Sequence, residues 1–411
     1  MRTLLRSMAC GGLAAALGAV AFGHAEETSY AKVQHGKYLV DAADCIGCHT
    51  RAGGAAFAGG RPIDTPFGTI YSPNLTPDNA TGLGAWSEDD FYGAMHNGEG
   101  PDGTRLYPAF PYPYYTKLTR DDVAAIWAYL RTLEPVHAPR PPSELTWPLN
   151  YRVFMRGWDW MFFTPGEFKP NPQKSAEWNR GAYLVEGAGH CGACHTPKNF
   201  LGADDANQML QGGELQNWFA PKLANGQRDG LGTWSVDETV EYLKTGRNAR
   251  SGATGPMAEV IENSTSKMTD ADLRAIAVYV KDMTARQPAD TGAPDQKVVD
   301  AGKAIFTDSC SGCHQADGSG VAGMFPPLVR NSNVQSDDPT TIIRVVLEGA
   351  RTAPTDARPT PFSMPAYDWK LNDDQVAAVV TYVRNAWGNK APAVSAGDVA
   401  SLRGQLQAKT Q

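Results

Sequence analysis

Cys45-Ile46-Gly47-Cys48-His49 sets two thiols three residues apart with a histidine directly behind the second. The arrangement returns at Cys191-Gly192-Ala193-Cys194-His195 and at Cys310-Ser311-Gly312-Cys313-His314. C-x-x-C-H is the attachment signature of c-type haem. Each thiol adds to one vinyl group of the porphyrin, and the histidine gives a ring nitrogen to the iron. Three such pentapeptides, each inside a similar run of sequence, carry far more weight than one. The cofactors expected are three covalently bound haem c groups, with His49, His195 and His314 as iron ligands. A structural zinc site is the competing reading of C-x-x-C. It is disfavoured because the pairs lie more than a hundred residues apart, each with its own adjacent histidine.

Outward from the motifs, the other cysteines become informative. Of seven in the chain, six sit in the motifs and Cys10 lies near the start, so none is left for a disulfide. Residues 1–25 read as a secretory signal peptide: Arg2 and Arg6, an apolar run from Leu13 to Phe22, then the small residues around Ala25. The context of Cys10 is poor for lipidation. At 411 residues the chain is expected to form two to four domains. The net charge is −7, and loss of a segment with two arginines and no acid takes it to −9. An acidic exported chain without a basic cluster is a poor nucleic-acid binder. No apolar run after the signal is long enough to span a bilayer.

One plan repeats three times. A short helix leads into each motif and carries a glycine: Gly36-Lys37-Tyr38, Gly181-Ala182-Tyr183 and Gly302-Lys303-Ala304. The glycine either lets this helix pack tightly against another or merely marks its start. A second helix closes each segment, announced by Thr119, Thr269 and Asn372 as caps and by Asp122, Asp272 and Gln375 three residues on. Between these ends the chain is rich in Gly and Pro, which suits loops wrapped around a large flat cofactor. Pro73-Asn74-Leu75, Pro221-Lys222-Leu223 and Pro326-Pro327-Leu328 recur downstream of the motifs. A backbone carbonyl there is expected to accept the second ring N–H of each haem histidine, the alternative being a plain turn proline. The expected divisions are a domain at 26–134, a Pro/aromatic-rich linker at 135–175, and a second domain at 176–286. A linker at 287–296, a third domain at 297–388 and a tail at 389–411 complete the chain.

Each iron needs a ligand on its far side, and methionine there gives a closed centre of raised potential suited to electron transfer. In the third segment this is Met364, with Met324 read as pocket lining. In the second it is Met257, with Met268 as competitor and Met209 too early in the chain. Aligning Trp86 with Trp234 puts Phe110 opposite Met257, and Phe cannot bind iron. Met95 is the remaining methionine between His49 and the linker and is assigned by elimination. His96 beside it offers a bis-histidine alternative.

At this point the chain resembles a known family, the triple-haem cytochrome c subunits of bacterial membrane-associated alcohol, gluconate and sugar dehydrogenase complexes. The resemblance covers essentially the whole chain after the signal. Beyond the haem motifs it rests on Tyr71-Ser72-Pro73-Asn74-Leu75-Thr76, on Leu106-Tyr107-Pro108-Ala109-Phe110-Pro111-Tyr112, and on Gly246-Arg247-Asn248 with Gly255-Pro256-Met257. It implies a mainly α fold of three tandem cytochrome c-like domains. It also implies an electron-transfer role, from a large FAD- or PQQ-dependent dehydrogenase subunit, with or without a small subunit, to membrane ubiquinone. The implied location is the periplasmic face of the cytoplasmic membrane of a Gram-negative bacterium, by peripheral attachment. Quinoprotein alcohol dehydrogenases of this type carry Met where Phe110 stands, so the resemblance tilts toward a flavin-dependent partner.

Two further expectations remain. Residues 149–163 hold six aromatics and two methionines among Arg152 and Arg156, and lie either at a membrane or partner surface or packed between units. A haem enzyme such as a peroxidase is the competing function and needs an open iron site, for which the irregular first segment is the candidate. Nothing in the chain suits substrate chemistry itself, and its Gly-rich stretches form no strand–G-x-G-x-x-G–helix unit.

Overall fold

A computed structural model describes residues 30–288 and 292–410. The expected signal peptide, with Cys10, and part of the 287–296 linker lie outside them. The fold is mainly α. In the first segment α1 (30–42) runs into α2 (Cys45–Cys48), followed by the hairpin β1 (Pro62–Thr65) and β2 (Gly68–Tyr71). Then come α3 (Glu88–Asn97), α4 (Tyr112–Tyr115) and α5 (Arg120–Leu130). Strand β3 (Glu144–Leu145) and α6 (Met155–Phe162) lead to the second segment. This comprises α7 (Ala176–Glu186), α8 (Gly192–His195), β4 (Gly213–Leu215), β5 (Trp218–Ala220), α9 (Val236–Thr245), α10 (Pro256–Asn263) and α11 (Asp270–Asp282). The third holds α12 (Gln296–Ser309), α13 (Ser311–His314), α14 (Thr340–Glu348), β6 (Ala350–Arg351), β7 (Ser363–Met364), α15 (Asp373–Asn385) and α16 (Ala396–Thr410).

The glycines explain how the helices meet. A Cβ built on Gly36 would overlap the carbonyl oxygen of Ala125 on α5. The same clash arises between Gly181 and Ala275 on α11, and between Gly302 and Ala378 on α15. The opening and closing helices of each segment thus cross backbone to backbone, and only a residue without a side chain permits it. Thr119, Thr269 and Asn372 cap the closing helices, each accepting from the backbone N–H three residues on at 3.2, 3.2 and 2.9 Å. Only Asn372 completes the reciprocal box, because Gln375 reaches back to it while Asp122 and Asp272 are engaged elsewhere.

Those two acids join the first segment to the second. Tyr38 donates to Asp272 (2.5 Å) and Tyr183 donates to Asp122. The backbone N–H of Thr119 donates to the Tyr183 hydroxyl (3.1 Å), and that of Thr269 to the Tyr38 hydroxyl (3.4 Å). His35 lies 2.6 Å from Asp122, and Arg180 makes two bonds of 2.8 Å to Asp272. The two segments therefore meet about a local two-fold, each using the same positions. Their buried side chains form one core, running from Leu39 to Val280.

The third segment has Ala304 and Gln375 at the matching positions and builds a separate core from Phe306 to Leu406. Its contact with the second segment combines polar bonds with a small apolar cluster of Ala253, Ile261 and Ala353. Thr341 exchanges two hydrogen bonds with the backbone of Phe219 (2.9 and 2.8 Å), and Arg344 donates to Gln216 O while lying over the Trp218 ring. In the tail, α16 buries Val399, Leu402 and Leu406 against this core. Arg384, fully buried, ties the tail down by donating to the carbonyls of Pro392, Val334 and Ser336.

The segment 135–175 is strapped along the first unit as it crosses to the second. Val136 exchanges hydrogen bonds with the side chains of Asn74 and Thr76, and β3 pairs antiparallel with β2, Gly68 opposite Leu145. The aromatic run divides between both expected states. Met155 and Trp158 are buried, whereas Tyr151, Val153, Phe154, Trp160 and Met161 are exposed.

Candidate functional site

Each C-x-x-C-H is wound into a single helical turn. The backbone N–H of His49, His195 and His314 donates to the carbonyl of the first cysteine in its own motif, at 2.9, 3.0 and 3.0 Å. That winding puts the two thiols, three residues apart, on one face. None of the six cysteines forms a disulfide.

The imidazoles are fixed the same way three times. Nδ1 of His49 lies 2.8 Å from Pro73 O, that of His195 2.6 Å from Pro221 O, and that of His314 3.2 Å from Pro326 O. These are the recurring prolines of the sequence. A carbonyl only accepts, so Nδ1 carries the proton and Nε2 keeps its lone pair. Gly59 and Gly320, both at positive φ, let the chain pass against the Pro73 and Pro326 carbonyls, where a Cβ would come within 2.5 and 2.8 Å. Burial pushes all three histidines down in pKa, His49 to about 4, against the opposing pull of the proline carbonyls. Each ring is therefore neutral near pH 7, the form a metal ligand must take.

On the far side, Met95 is buried in the shared core and faces inward from α3. His96, one position round the helix, instead stacks on Tyr92 at 4.9 Å beside the surface residue Arg120. Phe110 packs against Tyr115 at 5.4 Å. Met257 follows Pro256 in the first turn of α10 and packs against the cluster of Ala253, Ile261 and, from the third segment, Ala353. Met268 is buried in the core at the mouth of α11. Met364 lies on β7, paired with Ala350, and Met324 is half exposed on its loop.

Two buried groups escaped the sequence reading. Trp234 Nε1 and the Nε and Nη1 atoms of Arg247 are buried without a hydrogen-bond partner. Trp234 packs on Tyr242 at 5.4 Å, and Tyr242 packs against the same small cluster as Met257. Buried donors with no acceptor fit a cavity meant to hold a group carrying carboxylates, as haem does through its propionates. The only sequence signal was that both residues stand in stretches already singled out.

The first two sites adjoin. Helix α10, which bears Met257, packs on α2 of the first motif. Arg61 clamps the pair, donating to Gly47 O in the motif and to both oxygens of Glu259 on α10. Conversely, Tyr114 on α4 lies against Gly192 of the second motif and donates to Asp204. The loop after each motif's far side thus covers the other motif. Paired thiols, oriented neutral histidines and orphaned donors together fit covalent haem.

Comparison with known proteins settles the class. The sequence profile of the cytochrome c family matches residues 33–134 and 299–387. The chain is 40% identical over 415 residues to the gluconate 2-dehydrogenase cytochrome c subunit of Pantoea cypripedii, covering 95% of this chain and 94% of that one. It belongs to the family of dehydrogenase cytochrome c subunits. The cytochrome c subunit of the quinone alcohol dehydrogenase of Gluconobacter oxydans is also 40% identical, over 95% of this chain and 87% of its own. The fructose dehydrogenase cytochrome subunit of Gluconobacter japonicus is 36% identical, over 90% and 82%. Such a subunit serves electron transfer within a dehydrogenase complex, and no helix among the described residues is long and apolar enough to cross a membrane.

Proposed function

We propose that this chain is three tandem cytochrome c-like domains, each holding one haem c. In this reading it relays electrons from a periplasmic dehydrogenase subunit to ubiquinone, attached peripherally to the membrane. The threefold lock of histidine Nδ1 on a proline carbonyl carries the reading. Bound haem supplies a one-electron couple whose potential follows its axial ligands. The chain does the rest: the cysteines tether, the prolines hold each histidine's tautomer, and Met95, Met257 and Met364 close the far sides. Shared packing of the first two units holds their sites adjacent for rapid exchange. The partner is proposed to be flavin-dependent because Phe110 replaces the far-side methionine of the quinoprotein type.

Haem quantification per purified chain tests the count. Three haems are expected, and two or fewer overturn the assignment. Co-purification with a dehydrogenase subunit, followed by substrate-driven reduction of a ubiquinone analogue, tests the relay.

A further inference from the structure

The strap between the first two units turns apolar side chains to solvent. Trp147 is 81% exposed and Trp160 87%, and Tyr151, Val153, Phe154 and Met161 are each at least half exposed. Large apolar groups clustered this way on a surface mark a contact site. Helical geometry explains the clustering. Met155, Trp158 and Asp159 turn inward, where Asp159 accepts from the buried Tyr112 (2.6 Å) and Trp158 donates to Leu201 O (3.0 Å). Val153, Gly157, Trp160 and Met161 recur at helical spacing on the opposite side. A Cβ on Gly157 would meet nothing within 4 Å, so this side is open.

Three arginines stand around the strap. Arg156 is exposed on α6, whose single acid is turned inward. Beneath Trp147 and Tyr151 in sequence, Arg140 and Arg152 line a cleft of about 370 Å³ with Tyr107, Ser143 and Asn150. Arg152 spends its hydrogen bond on Arg105 O (2.8 Å) and lies over the Tyr107 ring, and Arg140 donates to Tyr71 O (3.2 Å). Neither forms a salt bridge among the described residues. Asp102 lies within electrostatic reach of Arg152 and Glu144 is exposed on β3, so the three arginines face two acids in a chain of net charge −7.

Exposed Trp and Tyr, aliphatic neighbours and arginines outside any salt bridge are the composition that seats a protein in the headgroup layer of an anionic bilayer. We propose that the 147–161 strap is the membrane-contact surface of this subunit. Its aromatic face enters the headgroup region, and Arg140, Arg152 and Arg156 meet anionic phospholipid phosphates. This rests on the peripheral attachment proposed above and names the surface that makes it.

The test is flotation of the full haem-loaded protein with vesicles of phosphatidylethanolamine and phosphatidylglycerol, and with phosphatidylcholine alone. Wild type is expected to float with the anionic vesicles and weakly with the neutral ones. Trp147→Ser, Phe154→Ser and Trp160→Ser combined should abolish flotation, with haem spectrum and dehydrogenase association intact. Arg140→Gln and Arg156→Gln should each weaken anionic binding about fivefold and leave neutral binding alone. Gly157→Leu, which adds an apolar group into open space, should strengthen binding. Unchanged flotation of the triple variant, or loss of the dehydrogenase subunit with flotation retained, overturns the proposal; the latter outcome assigns the face to that subunit. Failure of wild type to bind any vesicle would instead remove the peripheral-membrane reading itself.

Discussion

Single residues set the positions of everything the haem sites need. Gly36, Gly181 and Gly302 each admit a carbonyl oxygen of the facing helix into the space a side chain would fill. Gly181→Ala is expected to force α7 off α11 at a cost of about 3 kcal/mol or more, read in chemical unfolding, whereas alanine at the open Gly157 should change stability little. Far-side ligation is tested at single residues too. Met257→Ala and Met364→Ala should each lower the potential of one haem and leave the others near their original values in a redox titration. Met95→Ala should do the same for a third. Unchanged potentials and an unchanged low-spin spectrum would refute Met95 and turn attention to His96. The motifs, prolines and glycines were legible in sequence because a covalent cofactor demands fixed residue types at fixed spacing. The orphaned donors of Trp234 and Arg247 were not, since being unpartnered is a property of the space around an atom.

At the level of elements, helix ends carry two separate duties. Asn372 completes a capping box, so Asn372→Ala should cost about 1 kcal/mol in unfolding experiments. Asp122 and Asp272 occupy the same helical position but serve the interface between the first two units. For Asp272, burial acts to raise the carboxyl's pKa, yet Arg180 and Tyr38 outweigh it and hold the group below the usual carboxylate value. A depressed acid contributes stability above its unfolded pKa, and that contribution is lost as pH falls through the folded one. The interface should therefore weaken only below about pH 4. Asp272→Asn should already be weaker at pH 7 and lose less on acidification, as followed by thermal unfolding across pH. The caps were readable as local patterns. That Asp122 and Asp272, three residues behind two of them, would bond to tyrosines 61 and 234 residues away in sequence was not.

Across the whole molecule, the described chain has two main cores for three haem motifs. The first and second units share theirs, while the third, with the tail helix α16, has its own and meets the second through polar contacts and a small apolar cluster around Ala353. Calorimetry of the holoprotein is expected to show two unfolding transitions, the larger from the fused pair. Removing residues 396–411 uncovers the face that Val399, Leu402 and Leu406 now bury, and should lower only the transition of the third unit.

The amino-acid sequence alone determined the local chemistry: where the paired thiols and their adjacent histidines stand, and that one helical plan is used three times. Those features depend on local spacing, which a linear chain records directly. Tertiary structure decided how the copies associate, which tyrosine meets which acid, and which side of the aromatic strap faces out. Such choices depend on which surfaces meet after folding, between residues as far apart as Tyr38 and Asp272.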